Sequence, residues 1–262
     1  VTDADEEVRA VVRRIMELAE NRVPFHRIGV FHPTPNPYVG LIEQHLAAAG
    51  IVANGPSRGR LHESVAGRTL LGALSLPATN WRRDRVMALV SSAPVRRDDG
   101  ALALPTAWEE ISREAGVVGG LGDWRSKLAS HRARLEHSAT THPERPGTQH
   151  TIANTDLLLQ FVEFLTAGVD SIRTATSWAT RSDAALALLG SLLGPSRHHS
   201  AWPDAEQDAV ARVEETLMRL ATLDDIEPNA TFEVFVQALR VELDVSQTRS
   251  GRFGQGVFYG PL

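Results

Sequence analysis

The stretch Ile28-Gly29-Val30-Phe31-His32-Pro33-Thr34-Pro35-Asn36-Pro37 decides the fold. A short apolar run is closed by a loop in which three prolines forbid continuation, which reads as a buried strand followed by a loop. Before it, Val8, Val11, Val12, Ile15, Met16 and Ala19 recur at helical spacing behind an acidic start suited to a helix N-terminus, so a helix is expected over residues 4–20. After it, Tyr38 to Ala49 has helical period and ends at Gly50, ahead of a second short strand at Ile51-Val52-Ala53. Helix, strand, helix, strand implies parallel pairing.

From residue 63 onward the punctuation by Pro, Gly and Asn separates helical segments, expected near 63–75, 82–92, 106–115, 122–137, 153–168, 173–193, 203–222 and 230–243. Ser138 to Gln149 holds Thr, His, Pro and Gly with hardly an apolar residue and reads as a mobile loop or linker. Gly251 to Gly260 is glycine-punctuated and ends in a strand-like run, as in a truncated domain whose continuation is missing. The expected fold class is mainly α with a small parallel β-sheet built from residues 28–31, 51–54 and 256–259, the last strand beside the first. The expected domains are an α/β part (1–62 plus 251–262) and a helical part (63–250), with an unpaired edge or apolar face exposed on the sheet.

The 262 residues are 42% hydrophobic and 23% charged, with no cysteine. This composition excludes disorder, disulfide scaffolds, Cys-ligated zinc, iron–sulfur clusters and thiol nucleophiles. With no secretory leader and no apolar run of membrane-spanning length, a cytoplasmic protein is expected. The net charge of −5 argues against a domain whose whole surface binds nucleic acid, although local basic patches remain.

Of the 27 basic residues only Lys127 is lysine. It follows Ser126 and precedes Leu128, so the chain has no phosphate-cradling P-loop, and with Arg125 two residues before it there is no Glu-x-Lys nuclease signature. Gly190-Ser191-Leu192-Leu193-Gly194 has the wrong spacing for a nucleophile elbow and reads as helix. His131, His137, His142, His150, His198 and His199 show no His-x-x-x-His pair; they read as solvated loop histidines, the alternative being a zinc or manganese site with Asp204 beside His198 and His199. Glycines 251, 254 and 256 precede a strand rather than follow one and read as turn glycines. Neither catalytic nor metal-binding residues are assigned.

The remaining chemistry is basic: Arg58 and Arg60, then Arg82, Arg83 and Arg85 beside Trp81, then Arg96 and Arg97. Each cluster could contact DNA phosphates, with Trp81 offering a stacking face, or be an ordinary solvated surface. Trp108, Trp124, Trp178 and Trp202 fall at helical positions that core packing explains equally well.

The order of segments resembles a known family. Ile28-Gly29-Val30-Phe31, then Pro37-Tyr38-Val39 to Leu46-Ala47-Ala48-Ala49-Gly50-Ile51, then Arg60-Leu61-His62-Glu63-Ser64-Val65-Ala66-Gly67-Arg68 resemble the start of the second motor domain of UvrD-type DNA helicases. Arg82 to Val95 looks like the next element of those proteins. Trp108 to Leu128, and the ending Leu239 to Asp244 with Gly251 to Leu262, are similar to AddB-like helicase–nuclease subunits of the PD-(D/E)XK nuclease family. The resemblance implies part of a RecA-like domain with its helical insertion, from a subunit that works with a partner subunit on double-strand DNA ends in recombinational repair. It implies ATP and magnesium for the parent complex and no cofactor for this segment. Where active helicases of this type place an arginine soon after the first strand, this chain has His32-Pro33-Thr34, which suits a motor that has decayed. The alternative reading is a helical protein–protein interaction module with no DNA contact.

Overall fold

The computed structural model describes residues 3–141, 147–245, 247–250 and 254–262, with the side chains of 56–59 and 245–250 excepted. The molecule is mainly α-helical with a small sheet. In chain order the elements are α1 (Ala4–Glu20), β1 (Gly29–His32), α2 (Tyr38–Ala48), β2 (Ala53–Arg60), α3 (Val65–Ser75), α4 (Arg83–Ser92), α5 (Pro105–Ala115), α6 (Leu121–Thr141), α7 (Thr148–Thr174), α8 (Trp178–Leu193), α9 (Asp204–Ala221), α10 (Phe232–Val245), β3 (Gln247–Ser250) and β4 (Val257–Pro261). No helix among the described residues is long and apolar enough to cross a membrane.

The sheet runs β1-β4-β2-β3. β4 lies between β1 and β2 and is parallel to both, Gly29 opposite Phe258 on one side and Ala53 opposite Val257 on the other. The terminal strand thus pairs beside the first. β3, not expected from the sequence, closes the other edge antiparallel to β2. α1 begins on Asp3, whose carboxylate accepts from the Asp5 N–H, and buries Val8, Val12 and Ile15. These pack with Val39, Ile42 and Leu46 of α2 and with Val257 and Tyr259 of β4. Polar bonds pin the layer: Tyr38 donates to Glu7 at 2.8 Å, Tyr259 to Glu43 at 2.8 Å, and His45 meets Asp5 at 2.6 Å.

A second and larger core starts at Leu61 and takes in α3 to α10. Trp108 and Phe161 stack with centroids 5.0 Å apart, and Trp178 meets Phe235 at 5.9 Å. The Trp124 indole donates to the Trp81 carbonyl at 2.8 Å, and that of Trp178 to Glu227 O at 2.8 Å, so two buried N–H groups are satisfied. Within this core α3 packs closely on the turn before it through Gly67, where an added Cβ would lie 2.0 Å from the Leu61 carbonyl oxygen.

Three boundaries differ from the sequence reading. The strand expected at 51–54 runs from Ala53 to Arg60, because beyond its pairing with β4 it continues as the partner of β3. Gly168 does not end a helix; α7 runs through it to Thr174 because its bare Cα lets α8 approach, an added Cβ meeting Leu188 Cδ1 at 2.6 Å. The break comes at Ser177, whose hydroxyl accepts from the Thr180 N–H at 3.2 Å and starts α8. The expected loop at 138–149 is shorter as well. α6 continues to Thr141, with the Thr140 and Thr141 hydroxyls donating to the Glu136 and His137 carbonyls at 2.9 Å each, and α7 begins at Thr148. Residues 142–146 lie outside the described residues.

Candidate functional site

The arginines singled out in the sequence occupy three places, and carboxylates or carbonyls hold most of them. Arg82 donates from Nε to Asp84 at 2.9 Å, and Arg85 comes within 3.9 Å of the same carboxylate. Arg83 crosses to Glu109 on α5 at 2.5 Å and is only a quarter exposed. Arg97 forms a two-pronged pair with Asp99 at 3.2 and 2.7 Å, while Arg96 donates to the Gly100 carbonyl at 2.7 Å. Arg60 pairs with Asp244 at 2.6 Å, next to His62, 3.3 Å from the same carboxylate. Arg58 lies in β2, and its side chain is outside the described residues.

Local pairing lowers the field available to a phosphate at Arg60, Arg82, Arg83 and Arg97, where a contact would have to displace an intramolecular carboxylate. The pair is felt on both sides: the Arg82 hydrogen bond holds the Asp84 carboxyl below its usual range and raises the Arg82 guanidinium. Trp81 is 6% exposed, with φ of 50° turning its ring into the helical core. It offers no ring face to a base.

The histidines do not converge, nor are they the solvated loop residues expected: His131 and His199 are buried, and His137 and His150 lie on helices. His131 is buried, held at 3.2 Å by Arg134, with burial pushing its pKa down. His199 reaches the Leu193 carbonyl at 3.2 Å and stacks on Trp202 at 4.4 Å. His137 and His150 are exposed on helices, and His142 lies outside the described residues. Among the described residues no group of three or more His, Asp or Glu side chains could hold a metal ion. Ser191 sits within α8, as read from its context. Gly251 is outside the described residues; Gly254 and Gly256 take positive φ ahead of β4, as turn glycines do.

The surface that stands out is the sheet itself. α1 and α2 cover one face, whereas Phe31 on β1 and Phe258 on β4 point from the other, 57% and 41% exposed, their rings 6.1 Å apart. Gly29 and Gly260 flank them with no side chain, and Leu262 and Val52, 90% and 53% exposed, extend the apolar area. Parallel sheets are ordinarily covered on both faces, so an open face of this kind is unusual. At its edge His32 is buried with neither ring nitrogen partnered.

The sequence matches no protein-family model and no curated protein.

The sequence pointed to an exposed apolar sheet face but read Phe31 as part of a buried strand. The available signal was alternation: Val257 and Tyr259 face the helices, so Phe258 between them must face away.

Proposed function

We propose that the chain is a non-catalytic module of a helicase–nuclease subunit of the AddB type, acting in the processing of double-strand DNA ends for recombinational repair. In this reading the open sheet face packs against another domain of the same machine, and the helical body contacts a partner subunit. The observation that supports it is the three-stranded parallel layer covered by helices on one face only, with Phe31 and Phe258 at the centre of the bare face. ATP and magnesium belong, in this reading, to other parts of the complex. A helical protein–protein interaction module with no DNA contact is the second reading, favoured by the pairing of Arg60, Arg83 and Arg97 with carboxylates.

The test is genetic. Excising the coding segment for these residues from the source gene should abolish resection of double-strand ends and sensitise cells to double-strand breaks as strongly as loss of the whole gene. Undiminished resection would overturn the assignment.

A further inference from the structure

α10 carries more apolar residues than one buried stripe needs. Phe235, Leu239 and Leu243, at i, i+4 and i+8, are fully buried in the helical core. Val234 and Val241 lie off that stripe and are 42% and 49% exposed. With Gln237 and Ala238 between them they form one wall of a groove of about 560 Å³, whose floor is Leu220 of α9 and Leu223 of the following turn. Val234 and Val241 are two helical turns apart, about 10.5 Å along the axis, which matches the i to i+7 anchors of an amphipathic helix lying in a groove.

The rim is acidic. Glu233 and Glu242 border the groove, and Asp225 and Glu227 follow Leu223 in the turn, all three of Glu233, Asp225 and Glu227 being exposed. Glu242 is paired with Arg219; no ion pair engages Glu233, Asp225 or Glu227 among the described residues. We infer that this groove receives an amphipathic helix of a partner protein, with apolar residues at i, i+3 or i+4 and i+7 and arginine or lysine on its flanks. A second copy of this chain is a poorer occupant, because a two-fold contact through the groove would set the acidic rim against itself. The inference rests on the reading that the helical body contacts a partner subunit, and adds to it the place and the chemistry of that contact.

The probe is a fluorescein-labelled helical peptide of about 18 residues, long enough to hold helix, with leucines at the anchor positions and arginines beside them, titrated with the chain and read by anisotropy. A peptide with glutamate in place of arginine is the control. Saturable binding to the basic peptide is expected, with affinity falling at least about tenfold (about 1.4 kcal/mol) in the Val234→Gln/Val241→Gln double variant and severalfold in Glu233→Lys. Both variants change exposed positions, and circular dichroism checks that they fold. Absence of binding, equal binding of the acidic peptide, or binding indifferent to the valine changes would each overturn the inference. So would a concentration-dependent dimer abolished by the double variant, which would give the groove to a second copy. These outcomes leave the resection experiment untouched, so failure of the groove and failure of the functional reading are told apart.

Discussion

Phe31 and Phe258 face each other across two neighbouring parallel strands with ring centroids 6.1 Å apart and planes tilted by 58°, on the side of the sheet that no helix covers. A tilted aromatic pair of this kind contributes roughly 0.5–1.5 kcal/mol beyond its buried area, and in the isolated chain much of that area is wet. Replacing Phe258 by Gln is therefore expected to cost about that amount in a urea melt. It should also lower binding of a dye that reports exposed apolar surface. A loss of several kcal/mol would mean that the face is covered within this chain.

Arg181 is 5% exposed and has no carboxylate beside it among the described residues. Its Nε donates to Ile172 O at 3.3 Å, in the last turn of α7, and a terminal nitrogen donates to the Ala230 carbonyl just ahead of α10. The negative end of α7 thus receives the charge, and one side chain ties three helices together. Arg181→Met keeps the volume and removes the donors. The expected cost is roughly 1–3 kcal/mol for each carbonyl left without a partner, measured by the shift of the denaturation midpoint; a neutral substitution would contradict it.

Asp224 caps α8 from outside the helix, accepting from the Trp178 and Ala179 N–H groups at 2.7 and 3.0 Å. The Ala179 N–H bond is the largest influence holding its carboxyl below the usual range. A lowered folded-state pKa gives stability that is present above the unfolded value, about 3.9, and is lost as pH falls through the folded one. Asp224→Asn should be less stable than the parent at pH 7, and the gap should narrow as urea melts are repeated toward pH 3. A gap that widens in acid would reverse the sign of the argument.

Gly67 is where α3 packs against the turn that precedes it. Because a Cβ there would sit 2.0 Å from the Leu61 carbonyl and 2.8 Å from His62 Cα, both of them backbone, Gly67→Ala must push α3 away from the preceding turn. The expected loss is about 1–3 kcal/mol, outweighing the gain of up to about 1 kcal/mol in helix propensity. Gly122, with open space around it, is the control: the alanine variant there should not lose stability.

The fold was legible wherever pattern and punctuation agreed. Ile28 to Phe31 with its proline-rich loop, and Tyr38 to Gly50, placed β1 and α2 to within a residue or two. β3 was not legible, because Gln247-Thr248-Arg249-Ser250 is a polar edge strand specified by its antiparallel partner around Gly55 rather than by any alternation of its own. Gly168 looked like a helix stop and is a helix–helix contact; the threonines at 140 and 141 looked like loop and are satisfied by carbonyls one turn back. The site was less legible still. Trp81 beside three arginines has the composition of a stacking platform, yet consecutive positive φ values at Asn80 and Trp81 turn the ring inward. Pairings such as Arg60 with Asp244 are long-range and leave no mark in local sequence.

The central proposal, that the helical body meets protein rather than DNA, is tested most directly by anisotropy titration of a forked DNA duplex at several salt concentrations. The account predicts no binding tighter than the roughly 10⁻⁴ to 10⁻⁶ M of nonspecific contact at physiological salt, and no difference between the parent chain and an Arg82→Ala/Arg83→Ala/Arg85→Ala variant. Tight, steeply salt-dependent binding that the triple variant loses would contradict it and return DNA to the N-terminus of α4.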